Sequence, residues 1–133
     1  MWRIPSASKG EVTMTTTVHE LKCWPAFFDA VARGEKTFEI RKDDRGFQRG
    51  DRLRLLKYDP RNGGSYVPAS LSEQERRAKG KSVSLLYPEE RAVRVDCEVT
   101  YVLAGWGIEP GYVCMGIKLV GTGDGDAQQI DRG

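Results

Sequence analysis

The sequence predicts a mainly β, α+β domain: a small curled sheet or barrel of about five strands with one main helix near one end. Three observations support this prediction. Five segments have the β-prone composition or the two-residue alternation of strands. One segment has the start, the apolar stripe and the end of a short helix. Turns rich in Gly and Asp separate the strands.

The helix follows the first strand directly. "TTTVHELKC" is prone to form a strand because of its Thr and Val residues. In "WPAFFDAVARG", Pro25 takes the first helical position, Phe27, Phe28 and Val31 lie on one face, and Gly34 follows the end. We expect this face, including Phe27, to pack in the core.

The other four strands alternate apolar and polar residues. In "TFEIR" we expect Phe38 and Ile40 to face the core, and Thr37, Glu39 and Arg41 to lie on the polar face. The strands "RLRLLKY", "AVRVDCEVTYVL" and "GYVCMGIKL" have the following predicted inward positions: Leu53, Leu55, Val93, Val95, Cys97, Val99, Tyr101, Val113, Met115, Ile117 and Leu119.

The chain length, 133 residues, fits a single domain. We predict a flexible N-terminal leader at residues 1–16, the domain at 17–120 and a disordered tail at 121–133. Within the domain, residues 59–91 lose the strand periodicity and are rich in Gly, Pro, Ser and charge. We predict that they form a flexible insertion, with one helical turn near Leu71 to Lys79.

The composition argues against several kinds of protein. The three cysteines, Cys23, Cys97 and Cys114, are widely spaced and form no CxxC pair, which argues against a zinc site and a disulfide framework. His19 is the single histidine, so a metal centre or a Ser-His-Asp triad is not expected. No apolar run reaches membrane-spanning length. We expect a cytoplasmic protein with no metal, no cofactor and no membrane contact.

Positive charge is concentrated in one quarter of the chain. The whole sequence has a formal net charge of +2. The segment from Arg33 to Lys57 contains nine Lys or Arg and five Asp or Glu, a local charge of +4, and the remainder sums to −2. A local basic excess fits a surface that faces phosphates, although interleaved acids are also typical of a solvated face.

The segment "HELKCWPAFFDAVARGEKTFEIRKDDRGFQRGDRLRLLKYDP" resembles the ASCH domains of the PUA-like superfamily. It is most similar to small bacterial and phage proteins with the pattern HxLKCWPxxFxAxxxGxKTFEIRKxDRxFxxGDxLxLxxYDP. "TYVL" and "PGYVCMGI" extend the resemblance toward the C-terminus. The resemblance implies a PUA-like pseudo-barrel with an RNA- or nucleotide-binding cleft beside the helix and the GxKxxExR strand. The insertion is a departure, because relatives connect "YDP" to the next strand by a short link.

The resemblance makes binding of RNA or a nucleotide the first functional hypothesis. Phosphate contacts would come from basic side chains, a base would stack on Trp24 or Tyr112, and Glu39 would accept a hydrogen bond from a base edge or fix Arg41. For Trp24, core packing and ligand contact are equally expected, whereas we expect Phe38 to pack in the core. The predicted nucleic-acid-binding residues are Lys22, Trp24, Lys36, Glu39, Arg41, Lys42, Arg45 and Tyr112.

A hydrolase is the second hypothesis. Some ASCH proteins hydrolyse amides on modified cytidines with a lysine, a threonine and a glutamate, and others are reported as ribonucleases. Lys36 matches the lysine position, but the position three residues later, where those amidohydrolases have threonine, is Glu39. Thr37 is nearby with a different spacing, so the candidate catalytic residues are Lys36, Glu39 and Thr37. A further acid would come from Asp96 or Glu98.

The same residues fit two further hypotheses. In the third, the chain is an accessory factor of a phage or mobile element, whose basic cleft binds a host protein or its nucleic acid. In the fourth, Lys36 and Glu39 form a structural ion pair at the start of the strand, since such pairs perturb pKa values as active sites do.

Overall fold

The computed structural model describes residues 16–79 and 86–123. This part of the chain is mainly β, as predicted, and the five predicted strands are β1, β2, β3, β5 and β6. The elements follow in the order β1 (Val18–Cys23), α1 (Pro25–Ala32), β2 (Phe38–Lys42), β3 (Arg52–Asp59), β4 (Ser65–Tyr66), α2 (Glu73–Lys79), a 3-10 helix (Glu89–Arg91), β5 (Arg94–Leu103) and β6 (Tyr112–Gly123).

The strands form one sheet with the order β1-β3-β5-β6-β2, and β4 pairs with β3 outside this path. β1 and β3 run parallel, and the other neighbours run antiparallel. Apolar residues of the long strands and of α1 form a single buried cluster, whose fully buried members include Leu53, Leu55, Val99 and Met115. The core therefore lies on one face of the sheet, beneath α1.

The two ends of the sheet, β1 and β2, come close together although their backbones do not pair. Arg41 on β2 donates a hydrogen bond from Nη2 to the Lys22 carbonyl oxygen at 2.9 Å. Arg45, just after β2, donates from Nη1 to the Glu20 carbonyl oxygen at 3.2 Å. Both acceptors belong to β1, so the sheet curls around the core and two arginine side chains join its ends.

The short helix α1 has the predicted start, with Pro25 at its first position. Phe28 and Val31, three residues apart, face the core. The prediction that Phe27 also packs in the core is wrong, since Phe27 is exposed. Eight residues give a narrow buried stripe, and Phe27 lies about 100° around the helix from Phe28. The helix ends at Ala32, and Gly34, which follows the C-cap residue Arg33, has a φ of +81° that suits glycine.

The prediction for the two faces of β2 is also wrong. Glu39 is the buried residue, with 4% of its surface exposed, whereas Phe38 and Ile40 face outward. Phe38 is 43% exposed. The alternation itself is present, but it is reversed, because cationic neighbours compensate the buried carboxylate.

A bulge changes the faces of β5. Val99 pairs with Ile117 and Tyr101 with Gly116, so Thr100 is an extra residue in the strand. After this bulge Tyr101 faces outward and is 62% exposed, contrary to the predicted inward position. Asp96 pairs with Gly121 and Cys97 with Leu119, so Val120 is an extra residue in β6. Leu119, beside this second irregularity, is 39% exposed, also contrary to its predicted inward position.

The predicted insertion contains ordered elements in its described residues, 59–79 and 86–91. β4 pairs with β3, and α2 confirms the predicted helical turn. Ser72 and Glu75 exchange hydrogen bonds between side chain and backbone at the start of α2, a capping box. Its flexibility stays a prediction. β6 extends to residue 123, beyond the predicted boundary at 120. Residues 1–15 of the leader predicted at 1–16, and residues 124–133 of the tail predicted at 121–133, lie outside the described residues.

Candidate nucleic-acid interface

A buried carboxylate lies at the centre of the GxKxxExR segment. Lys36 Nζ lies 3.5 Å from Glu39 Oε2, and Arg41 Nε donates to Glu39 Oε1 at 3.3 Å. The Cys23 thiol, on β1, lies 3.9 Å from Glu39 Oε2. An ionised carboxylate is stable in a protein interior only when it is paired and hydrogen-bonded, and these groups supply that compensation.

Lys36 is held between two aromatic rings. Its ammonium lies 4.8 Å from the ring centre of Phe38 and 5.6 Å from that of Phe27, and it donates to the Phe38 carbonyl oxygen at 2.6 Å. Ammonium groups are attracted to ring faces at these distances. Phe27 and Phe38, which were predicted to pack in the core but are exposed, therefore flank the ion pair of Lys36 with Glu39. Only 17% of the Lys36 side chain is exposed.

The thiols near this cluster are unreactive. Burial raises the pKa of Cys23 to about 12, and the negative charge of Glu39 adds to the shift. Burial and the charge of Glu39 likewise raise the pKa of Cys97 to about 12. Both remain neutral thiols at physiological pH, and a neutral thiol is a poor nucleophile and metal ligand.

A cleft of about 340 Å³ opens where the two sheet ends meet. Its walls come from both ends of the sheet, from β3 and β4, and from the 3-10 helix. Lys22 Nζ lies 4.4 Å from the ring centre of Tyr58 and 6.0 Å from that of Tyr66. The lining residues are Glu20, Leu21, Lys22, Arg41, Arg45, Leu56, Tyr66 and Glu89.

Three cationic side chains of the cleft keep donors for a ligand. Lys22 makes no ion pair with any residue in the described ranges. Arg41 uses Nε and Nη2. Among the same residues, Arg45 donates a hydrogen bond from Nη1 and lies 3.7 Å from Asp44 Oδ1 through Nε. Because guanidinium carries five N–H groups, each arginine retains N–H groups for a phosphate or carboxylate.

Two carboxyl groups lie in the same cleft. A hydrogen bond with the Glu20 side chain raises the pKa of Glu89, and burial and the charges of Glu20 and Glu90 raise it further, while Arg94 opposes the shift. Glu20 also lies 3.6 Å from Arg54 Nη1. The cleft thus combines cationic groups with carboxyl oxygens that can accept from an N–H group of a base.

Residues 18–117, about three quarters of the chain, match a protein family described as "Domain of unknown function (DUF3850)". The chain belongs to this family. A stretch of 45 residues is 45% identical to the "Uncharacterized 12.9 kDa protein in GpA 3'region" of Escherichia phage P2. That stretch is 34% of this chain and 41% of the phage protein, so it spans less than half of the relative's length.

The predicted binding residues lie in several different places in the DUF3850 domain. Lys22, Arg41 and Arg45 line the cleft. Lys36 and Glu39 form the buried pair beside it. Lys42 and Tyr112 pair across β2 and β6. Trp24 is exposed just before α1, and Thr37 is exposed just before β2, where its carbonyl oxygen accepts from Ile117 N.

Sequence reasoning missed Glu20, Tyr66 and Glu89 as cleft residues. Tyr66 and Glu89 lie in the insertion, which has no periodicity from which to predict a position. The outward position of Glu20 could have been predicted, because Glu20 alternates with the buried residues His19 and Leu21 on a strand.

Two further polar side chains that the sequence analysis considered, His19 and Asp96, have structural contacts. The single histidine, His19, contacts Asp51 Oδ2 through Nε2 at 2.8 Å, and Phe47 packs edge-on against its ring. Asp96, a candidate catalytic acid, accepts from Arg54 at 2.9 Å. Among the described residues, no group of three or more His, Cys, Asp or Glu is placed to hold a metal ion. No helix in these ranges has the length and apolar character needed to cross a membrane.

Proposed function

We propose that this DUF3850 domain binds single-stranded RNA, or a nucleotide, in the cleft between β1 and β2. The observation that carries the proposal is the convergence of Lys22, Arg41 and Arg45, each with available donors, on one cleft of about 340 Å³. This volume lies within the usual range of ligand sites. The resemblance of the LKCWP and GEKTFEIRK segments to ASCH domains supports the same function.

The fold assigned to the domain is PUA-like. Three features support this assignment: a curled sheet, two sheet ends joined through Arg41 and Arg45, and a single helix packed against β3 and β6. The cleft lies beside the segment that contains Lys36, Glu39 and Arg41, where the resemblance to ASCH domains implies it. A cytoplasmic location is part of the same proposal.

Each wall of the cleft has its own part in binding. Arg41, Arg45 and Lys22 contact phosphate oxygens, which set position and affinity but carry little sequence information. Tyr66 provides an aromatic surface for the base. Glu20 accepts a hydrogen bond from an N–H group on the base edge. Glu39 takes no direct part, since it is buried and holds Arg41 in place.

The test measures the affinity of a labelled oligouridylate of about 12 nucleotides by fluorescence anisotropy. We expect the affinity to fall between about 50 and about 200 mM salt through counterion release. Arg45→Ala should weaken binding and reduce the slope of log affinity against log salt by about 0.7. Arg77→Ala, which removes the same charge from the exposed helix α2, is the matched control. The proposal would be refuted if the affinity did not change with salt concentration, or if Arg45→Ala and Arg77→Ala lost the same affinity.

Hydrolysis is the alternative function. The proximity of Lys36 Nζ to the buried Glu39 carboxylate resembles a proton-transfer pair and favours a hydrolase for N4-acylcytidine or RNA. Neither residue lines the cleft, however, and Lys36 already donates to the Phe38 carbonyl oxygen. Binding therefore has the stronger support. The similarity to a protein of phage P2 also fits an accessory factor with a protein partner.

A further inference from the structure

The outer face of β2, β6 and β5 carries an apolar surface that the cleft does not use. Across the strands, Phe38 lies opposite Gly116, and Gly116 lies opposite Tyr101. One row further, Ile40 lies opposite Cys114, and Cys114 opposite Leu103. We name this surface the platform and define it by Phe38, Ile40, Tyr101, Leu103, Tyr112 and Gly116.

The platform faces away from the core. Phe38, Ile40 and Tyr101 are exposed, whereas the residues that alternate with them, among them Glu39 and Met115, are buried. The bulge at Thr100 is essential to this arrangement, because it turns Tyr101 and Leu103 outward. A protein that buries a carboxylate and exposes three large apolar side chains presents a surface for contact.

Gly116 lies between the two aromatic residues of the platform and carries no side chain. An added Cβ would lie 2.9 Å from Thr100 Oγ1 and 3.7 Å from Tyr101 Cβ, so the Thr100 hydroxyl lies close to Gly116 and leaves no room for a larger residue. Phe38 and Tyr101 stand two strand spacings apart, roughly 10 Å. Their exposed side chains therefore offer two separate positions on the same face at which a base can stack.

The charges around the platform favour a polyanion. Lys42 and Lys118 lie on the same face of β2 and β6, and neither forms an ion pair with a described residue. Lys36 lies over the ring of Phe38. Glu98, opposite Lys118, is the nearest acid in the ladder. Proteins that bind unpaired bases often stack them on aromatic rings of an open sheet, with cationic side chains at its edge.

We propose that the platform is a second binding surface for single-stranded RNA, on which unpaired bases stack against Phe38 and Tyr101. This inference rests on the proposed function for the identity of the ligand. Arg41 and Lys42 are neighbours on β2, one in the cleft and one on the outer face. An RNA strand whose phosphate is held in the cleft therefore reaches the platform by crossing the edge strand β2.

The experiment compares uridine monophosphate with the oligouridylate of about 12 nucleotides on the full chain. Tyr101→Ala should weaken binding of the oligonucleotide by about 5- to 150-fold, the loss expected for one stacked base. It should leave binding of the mononucleotide unchanged. Tyr101→Phe, which keeps the ring, should bind as the wild type does. Trp106→Ala removes an aromatic ring that is 89% exposed in the loop after β5 and should have no effect.

The outcomes separate the two proposals. If Arg45→Ala weakens binding of the mononucleotide, but the wild type binds the oligonucleotide no more tightly than the mononucleotide, the platform proposal is wrong and the cleft proposal is supported. If neither ligand binds, both proposals fail. If Tyr101→Ala retains full RNA affinity, the platform is overturned, and a changed sedimentation coefficient in that variant would identify the face as a contact between copies of the chain. Because the replaced side chains are exposed, each variant should keep the thermal midpoint of the wild type. This measurement shows that each variant is folded.

Discussion

Arg41 on β2 donates a hydrogen bond to the carbonyl oxygen of Lys22 on β1, at 2.9 Å, and so joins the two ends of the sheet. The same guanidinium holds the buried carboxylate of Glu39 through Nε at 3.3 Å. One side chain thus has two structural roles and also lines the cleft. The stability of the fold and the binding proposed for the cleft therefore depend on the same residue, Arg41.

The first prediction concerns the stability that Arg41 provides. Arg41→Ala should lower the free energy of unfolding by about 3 kcal/mol, because it leaves a buried carboxylate with one cationic partner fewer. Arg45→Ala loses one exposed hydrogen bond and an exposed ion pair with Asp44, and should cost no more than about 1 kcal/mol. Urea denaturation of both variants measures the difference. Equal losses would show that the Glu39 contact contributes little.

The second prediction concerns the coupling of Lys36 and Glu39. Lys36→Met and Glu39→Gln should each destabilise the domain, since each leaves a partly or fully buried charge without its partner. The double variant should cost less than the sum of the single variants, as expected for neighbours in contact. A double-mutant cycle in urea gives the coupling free energy. Additive losses would mean that the 3.5 Å contact is not an energetic pair.

The third prediction separates binding from catalysis. We expect the wild-type protein to release no acetate from N4-acetylcytidine above a control without protein, because Glu39 stands where the similar amidohydrolases have threonine and Thr37 has a different spacing. Acetate release is followed by chromatography. Turnover by the wild type, lost in Lys36→Ala at an unchanged thermal midpoint, would instead establish the hydrolase.

The fourth prediction concerns pH. The hydrogen bond with Glu20, together with burial and the charges of Glu20 and Glu90, raises the pKa of Glu89, and Arg94 opposes the shift. Protonation of Glu89 removes a negative charge from the cleft as the pH falls through this raised pKa. Affinity for the oligouridylate, made without a terminal phosphate, should therefore rise as the pH falls from about 7 toward the usual range of a carboxyl group. In Glu89→Gln, binding should be tighter at pH 7 and the rise should be smaller. A rise of unchanged size would assign the effect to another group.

Much of the architecture follows from local sequence patterns. The two-residue alternation located β2, β3, β5 and β6, and Pro25 and Gly34 marked the two ends of α1. These signals are short-range, so a single sequence carries them. The two-residue strand β4 has no such signal, because two residues establish no period.

The sequence pattern could not predict which of the two faces of β2 points toward the core. Alternation defines two faces, and hydrophobicity assigned Phe38 and Ile40 to the core. The structure buries Glu39 instead, because Lys36, Arg41 and the Cys23 thiol of a distant strand surround it. That compensation depends on the tertiary approach of β1 to β2. The same is true of the cleft, where Glu20 and Glu89 meet across 69 positions of sequence.

The two arginines at the junction of the sheet ends have a consequence for the solubility of the protein. An edge strand offers unpaired backbone acceptors to any extended chain that approaches, and this is how sheets recruit further strands and aggregate. The Glu20 and Lys22 carbonyl oxygens are such acceptors, two residues apart on β1, and both already receive a guanidinium N–H. Arg41 and Arg45 thus block this edge against strand addition. The residues assigned to holding RNA also protect the folded protein from polymerising through β1.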